Sequence, residues 1–139
     1  KMGRRRYPNA TELLITADCG GSNSSRTRLW KLALQELADA LGLRLTVCHF
    51  PPGTSKWNKI EHRMFCHITR NWRGRPLTSY AVIVQLIGNT RTTEGLKIRA
   101  ELDVREYPLR ESVTPEQLAT VQLTPASFHG DWNYTVAPH

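Results

Sequence analysis

The 139-residue sequence has no apolar run approaching the roughly 20 residues that a membrane-spanning helix requires. A secretory leader is missing too: Lys1, Arg4, Arg5 and Arg6 make a basic start, but the apolar stretch behind them is too short for a hydrophobic leader core. These absences argue against a membrane partner and make the cytoplasm the expected compartment. Internal repeats and low-complexity tracts are also lacking, which leaves one domain, or a large piece of one, with enough chain for a modest core. Cysteine is scarce. Cys19, Cys48 and Cys66 are an odd number without CxxC spacing, which argues against a disulfide framework and against a zinc ribbon. Cys48-His49 and Cys66-His67 invite a metal reading, because His62 and Cys66 would share a helix face. Partly buried thiols in a reducing compartment explain them better. Acidic residues are few as well, 12 against 19 Lys and Arg, for a net charge of +7. Such a surplus suits a polyanionic partner, since neutralising phosphates releases condensed counterions. It is concentrated in the basic start and again at Lys59, Arg63, Arg70, Arg73 and Arg75.

What is present reads as alternating strands and helices. Leu13-Leu14-Ile15-Thr16-Ala17 is a short apolar run predicted to be a strand buried on both faces, central and parallel. It ends in Asp18, and Cys19-Gly20-Gly21-Ser22-Asn23-Ser24-Ser25 has turn and helix-cap chemistry. From about Arg26 to Leu41 the apolar residues keep the helical period, with Gly42 placed to end the helix. Leu43, Leu45, Val47 and His49 then alternate with polar residues as a second strand, stopped by Pro51-Pro52-Gly53. Strand, helix, strand over about 35 residues is a βαβ unit, so the two strands should be parallel. Further helices are predicted over about Ser55–Trp72 and Ser79–Gly88. Leu96, Ile98, Ala100 and Leu102 alternate like a strand, and Thr114-Pro115-Glu116-Gln117 is a capped helix start. The aromatic-bearing segment Phe128–Val136 is expected to pack back on the body. The organisation expected is a basic segment 1–12, a core 13–90 and an α+β extension 91–139 packed on that core.

Two acids stand out by placement. Asp18 sits at the C-terminal end of a strand, where open α/β sheets bind ligands, although a residue there also caps turns into helices. Glu61 lies on or beside the apolar stripe Trp57, Ile60, Met64, Phe65, Ile68 and Trp72. A carboxylate there is costly to bury unless it binds a cation or pairs with a base such as Lys59 or Arg63. Forty-two residues separate the two acids. A strand end and a later helix can bring such carboxylates together on magnesium or manganese, which take hard oxygen ligands. Paired metals of this kind support phosphodiester transfer.

The run Leu14–Asn23, with Asp18 and Gly20-Gly21-Ser22-Asn23, resembles the second-acid strand of the Rhodopirellula-type DDE transposases. His49-Phe50-Pro51-Pro52-Gly53-Thr54-Ser55-Lys56-Trp57-Asn58-Lys59-Ile60-Glu61-His62 is similar to that family's third-acid motif. The likeness continues through Leu77–Tyr80, Gly95–Leu102 and Phe128–Tyr134, nearly the whole chain. It implies an α/β fold: a partial ribonuclease H-like core of sheet order 3-2-1-4-5, with Leu13–Ala17 as strand 4 and Leu43–His49 as strand 5. Asp18 and Glu61 would be the second and third catalytic acids and metal ligands for Mg2+ or Mn2+. Asn58, Gly20, Gly21 and Asn23 would shape the site, and Cys19 stands where relatives are expected to carry glycine. DNA would be the partner, contacted by Lys56, Lys59, Arg63, Arg4, Arg5 and Arg6.

On the same resemblance, strands 1 to 3 and the first acid would lie upstream of Lys1. The chain is then expected to be inactive alone, with weak or absent metal binding, and the free edge of strand 4 to drive homo-oligomerisation or to be covered by the N-terminal or C-terminal segment. The alternative function is a non-catalytic DNA-binding or oligomerisation module made from the same piece. A nucleotide-binding loop at Gly20-Gly21-Ser22-Asn23 fits poorly, because it lacks both the Lys-Ser/Thr of a P-loop and GxGxxG spacing, so no nucleotide cofactor is expected.

Overall fold

The alternation of Leu45, Val47 and His49 places three side chains on one face of a strand, and all three are buried. In the computed structural model, which describes residues 2–107 and 112–139, this strand is the middle of the fold. Lys1 of the basic start lies outside the described residues. The chain forms two compact units, Lys1–Ser55 with Arg110–His139, and Lys56–Leu109.

The first unit is a four-stranded sheet of order β1-β2-β4-β3, with β1 Glu12–Ala17, β2 Arg44–His49, β3 Leu123–Pro125 and β4 Asn133–Val136. β1 and β2 are parallel, in register from Glu12 opposite Arg44 to Ala17 opposite His49, as the βαβ reading requires. β4 runs antiparallel to both β2 and β3. Between β1 and β2 comes α2, Arg28–Leu41, where Gly42 closes the helix by donating its N–H to the carbonyls of Ala38 and Asp39. Leu34 and Ala38 of α2 meet Leu45, Val47, Tyr134 and Val136 in the core, and Ile15, Trp30, Leu43, Val121 and Leu123 pack around them. A short α1, Met2–Arg6, precedes β1, and α5, Pro115–Ala119, precedes β3. The predicted cap at Thr114 is a full capping box with Gln117.

The segment Phe128–Val136 does more than pack on the body. Its second half is β4, an inner strand of the sheet. Gln35 of α2 secures its approach and exit: Oε1 accepts the Gln122 N–H at 2.7 Å, and Nε2 donates to the Ala137 carbonyl at 2.9 Å. Asp39 accepts the His139 backbone N–H at 2.9 Å, and that bond is the main reason its carboxyl titrates below the usual value.

β1 departs from expectation. It was predicted to be buried on both faces, but Leu13 is 40% and Leu14 63% exposed. The physical reason is position. β1 is an edge strand with no partner on its outer side among the described residues, and only the face bearing Ile15 and Ala17 is shielded.

The second unit begins with a helical run that changes its winding. Residues 59–72 are helical, but Glu61–Phe65 form a π turn before α3, Cys66–Trp72. The Cys66 N–H accordingly bonds to the Glu61 carbonyl, five residues back. The extra residue rotates everything after it by about 100° relative to a regular helix. The predicted single apolar stripe is therefore broken: Ile68 is buried, while Trp57, Ile60 and Phe65 are exposed. α4, Tyr80–Gly88, starts at Ser79, whose hydroxyl accepts the Val82 N–H at 3.3 Å. The expected strand around Leu96–Leu102 does not form. Arg91 and Lys97 make one antiparallel bridge, and residues 98–107 have no regular structure. Among the described residues no strand lies alongside to take up their N–H and C=O groups, and of the alternating residues only Ile98 is buried. No helix among the described residues is long and apolar enough to cross a membrane.

Removing core volume under α2 should cost far more than changing the open face of β1. Leu45→Ala is expected to lose about 2–5 kcal/mol, and Leu14→Ser within about 0.5 kcal/mol, as for an exposed surface position, both read by urea denaturation.

Candidate active site

Asp18 follows β1 directly and is half-buried. The backbone on either side of it is held. The Phe50 N–H donates to the Ala17 carbonyl at 2.8 Å, and His49 Nδ1 donates to the Asp18 carbonyl at 3.2 Å. His49 is buried, with Nε2 2.9 Å from the Tyr134 hydroxyl, which also accepts the Trp30 indole N–H at 2.9 Å. One proton arrangement satisfies every partner. Nδ1 of a neutral imidazole must carry the proton given to the Asp18 carbonyl, so Nε2 accepts from the Tyr134 O–H, whose oxygen accepts from Trp30. Burial raises the Tyr134 phenol above its ordinary value, more than the Trp30 hydrogen bond lowers it, and nearby Cys19 adds to the rise. The phenol therefore stays a proton donor at neutral pH.

The Asp18 side chain points into the following loop. Its Oδ1 accepts from Asn23 Nδ2 at 3.2 Å, and among the described residues Oδ2 has no hydrogen-bond partner. Asp18 caps no helix: α2 starts ten residues later behind Thr27, and the loop between holds a 3-10 turn, Gly21–Asn23, and a second turn closed by the Thr27 N–H on the Ser24 carbonyl at 2.9 Å. Gly21 at φ 61° occupies the left-handed region that a side chain disfavours, and that bend returns Asn23 to Asp18. Gly20 is extended, and a Cβ there would lie 3.6 Å from Asp18 Oδ2, an ordinary contact. Of the two glycines expected to shape the loop, Gly21 is the one its backbone demands.

Glu61 stands in the other unit. The preceding turn closes with the Thr54 N–H and hydroxyl both donating to the Pro51 carbonyl, at 3.1 and 2.6 Å. Pro52 and Gly53, the latter at φ 79°, fill the central positions of a type II turn. Asn58 starts the helical run: its carbonyl accepts the Glu61 N–H at 3.1 Å, and its Oδ1 lies 3.5 Å from the Ile60 nitrogen. Glu61 is half-buried in the first helical turn, where the helix dipole favours a carboxylate. Neither Lys59 nor Arg63 pairs with it, and no side-chain hydrogen bond reaches it among the described residues. His62 Nε2 is 2.6 Å from the Lys56 carbonyl, and the Cys66 thiol donates to the His62 carbonyl at 3.0 Å, so the His62–Cys66 pair is already engaged.

The expected site residues thus divide between the units. Arg4, Arg5, Arg6, Asp18, Gly20, Gly21 and Asn23 lie in the first, and Lys56, Asn58, Lys59, Glu61 and Arg63 in the second. Asp18 and Glu61 each keep carboxylate oxygens without a partner among the described residues, and hard oxygen donors suit magnesium or manganese. Among the described residues no group of three or more His, Cys, Asp and Glu side chains comes together as a metal cage. Sequence reasoning missed the Trp30–Tyr134–His49 chain behind Asp18. The signal was His49 itself, a polar residue at a core-facing position of an alternating strand, which must find partners when buried.

Residues 1–138 match the family model of the Rhodopirellula transposase DDE domain, and the chain belongs to that family. Comparison with curated proteins and with solved structures gave no match. Membership makes this a transposase-derived, catalytic-type domain, and implies DNA as partner and divalent metal in general.

Tyr134→Phe removes only the hydroxyl and leaves Trp30 Nε1 and His49 Nε2 without their partner. It is expected to cost about 1–3 kcal/mol of stability, measured by denaturation, whereas Thr135→Val on the opposite face should cost less.

Proposed function

We propose that the chain is the C-terminal part of a ribonuclease H-like DDE catalytic domain that cuts and joins DNA phosphodiesters. Asp18 is the second acid and Glu61 the third. The observation that carries this reading is the parallel β1–β2 pair, with Asp18 at the C-terminal end of β1 and the outer edge of β1 unpaired among the described residues. Strands 4 and 5 of the order 3-2-1-4-5 would leave that same edge for strand 1.

In this reading Asp18 and Glu61 are each a ligand for Mg2+ or Mn2+, through carboxylate oxygens that no described residue engages. The bound metal would supply an activated water or hydroxyl and stabilise the leaving oxygen. The chain's own residues do the rest. His49 and Phe50 fix the backbone around Asp18, and Asn23 holds its Oδ1, leaving Oδ2 without a partner among the described residues. Asn58 and the Pro51–Thr54 turn set the start of the helix bearing Glu61. Lys56, Lys59 and Arg63 beside it, with Arg4, Arg5 and Arg6, contact phosphates without reading sequence. These residues supply two of the three acids, so the chain alone is expected to have little activity.

A second reading, a non-catalytic DNA-binding or oligomerisation module, is favoured by the surplus positive charge and by the same open strand edge. Sedimentation velocity should show a concentration-dependent dimer formed through β1; a monomer at every concentration contradicts the oligomer. The acids are tested by calorimetric titration with MnCl2. The parent chain, without the first acid, should bind weakly at most, and any heat it gives should be lost in Asp18→Ala and in Glu61→Ala. An unchanged isotherm in either variant removes that residue from the site.

A further inference from the structure

The acids and their flanking bases leave the most basic surface of the second unit unexplained. From Lys56 to Tyr107 there are ten Lys and Arg against five Asp and Glu. Four of these arginines line one recess of about 520 Å³. Arg70, Arg73 and Arg75 come from the end of α3 and the turn after it, and Arg91 from the loop after α4; His67 and Asn71 complete its floor. Among the described residues no carboxylate lines this recess. A second recess of about 710 Å³ adjoins it, sharing His67, Thr92 and Thr93 and adding His62 and Arg63, with Glu94 as its one acid. The two make a continuous trough along the helix that begins near Glu61.

The frame of this trough is built and the charges within it are free. Asn71 Nδ2 donates to the Leu86 carbonyl at 2.6 Å and lies 3.3 Å from Thr90 Oγ1, tying α3 to the end of α4. Thr90 is buried and its hydroxyl donates to the same carbonyl at 3.1 Å. Beyond it, residues 91–97 close on themselves: Leu96 N–H donates to Thr92 Oγ1 at 3.1 Å, and Arg91 bridges Lys97. Arg91 Nη1 is held by the carbonyls of Gly88 and Thr90 at 2.7 and 2.9 Å, which fixes the guanidinium and leaves its other donors available. Arg70, Arg73 and Arg75 are exposed and pair with no acid among the described residues. The α3 dipole accounts for a cation at Arg70. It does not account for four arginines around one hollow, whose mutual repulsion an anion would relieve. The guanidinium is the side chain best suited to bidentate phosphate contact.

We propose that this trough, lined by Arg70, Arg73, Arg75 and Arg91, binds the phosphate backbone of duplex DNA. An extended polyanion fits two joined recesses better than a single small anion does. The inference takes DNA as ligand from the transposase reading, but it does not depend on Asp18 or Glu61 being catalytic.

The test is fluorescence anisotropy of the full chain with a labelled duplex of arbitrary sequence, between 50 and 200 mM salt. Replacing Arg70, Arg73 and Arg75 together by Gln should weaken binding roughly tenfold or more at the lower salt, and make the log–log salt slope shallower by about 2 to 3. The same three positions changed to Lys should keep most of the affinity and the slope, because the charge is retained. Equal urea midpoints for the Gln and Lys proteins exclude a folding defect. Duplex affinity is read without added divalent metal, so failure of the catalytic assignment leaves this result standing, and Arg105→Gln, which lines neither recess, should bind close to the parent. No binding by the parent at 50 mM salt, or unchanged affinity and slope in the Gln protein, overturns the proposal.

Discussion

The first unit depends on a single hydroxyl and the strand that delivers it. Tyr134 lies in β4, more than a hundred residues from Trp30, and its oxygen joins that indole to His49 inside the core. Three polar groups can be buried there only because each satisfies another, since an unpaired one would cost about 1–3 kcal/mol. The arrangement locks β2 between β1 and β4, and through His49 Nδ1 it reaches the carbonyl of Asp18. Core stability and the placement of the acid are therefore one constraint.

Much of this was legible in the sequence where local chemistry decides the outcome. The apolar periods of α2 and β2, the capping box at Thr114 and the stop at Gly42 are short-range signals, and each element formed where they indicated. The parallel pairing of β1 and β2 followed from the length of the link between them. Long-range facts were not legible. Nothing near Asn133–Val136 says that it enters the sheet between β2 and β3, and Leu13–Ala17 reads as buried because sequence cannot tell an edge strand from an inner one. The alternation at Leu96–Leu102 failed for a related reason: a pattern makes a strand only where another strand accepts it.

The candidate acids were identified through a resemblance and through their places at a strand end and in a helix. Their surroundings came from structure. Gly21, rather than Gly20, has the backbone angle that only glycine adopts easily, and Asn23 is the residue that touches Asp18. Around Glu61 the π turn was invisible to a regular helical period, which placed Trp57, Ile60 and Ile68 on one face. Such turns recur at functional sites, where one extra residue re-aims the side chains around it.

The central proposal is that Asp18 and Glu61 are each metal-binding acids. Iron(II) can replace magnesium, and in the presence of ascorbate and peroxide it cuts the polypeptide near its binding place. Fragment mapping should show cuts around Asp18 and cuts around Glu61, and Asp18→Ala and Glu61→Ala should each lose the cuts at its own position. No cuts at a position, or cuts there that survive its own substitution, would contradict the proposal for that acid.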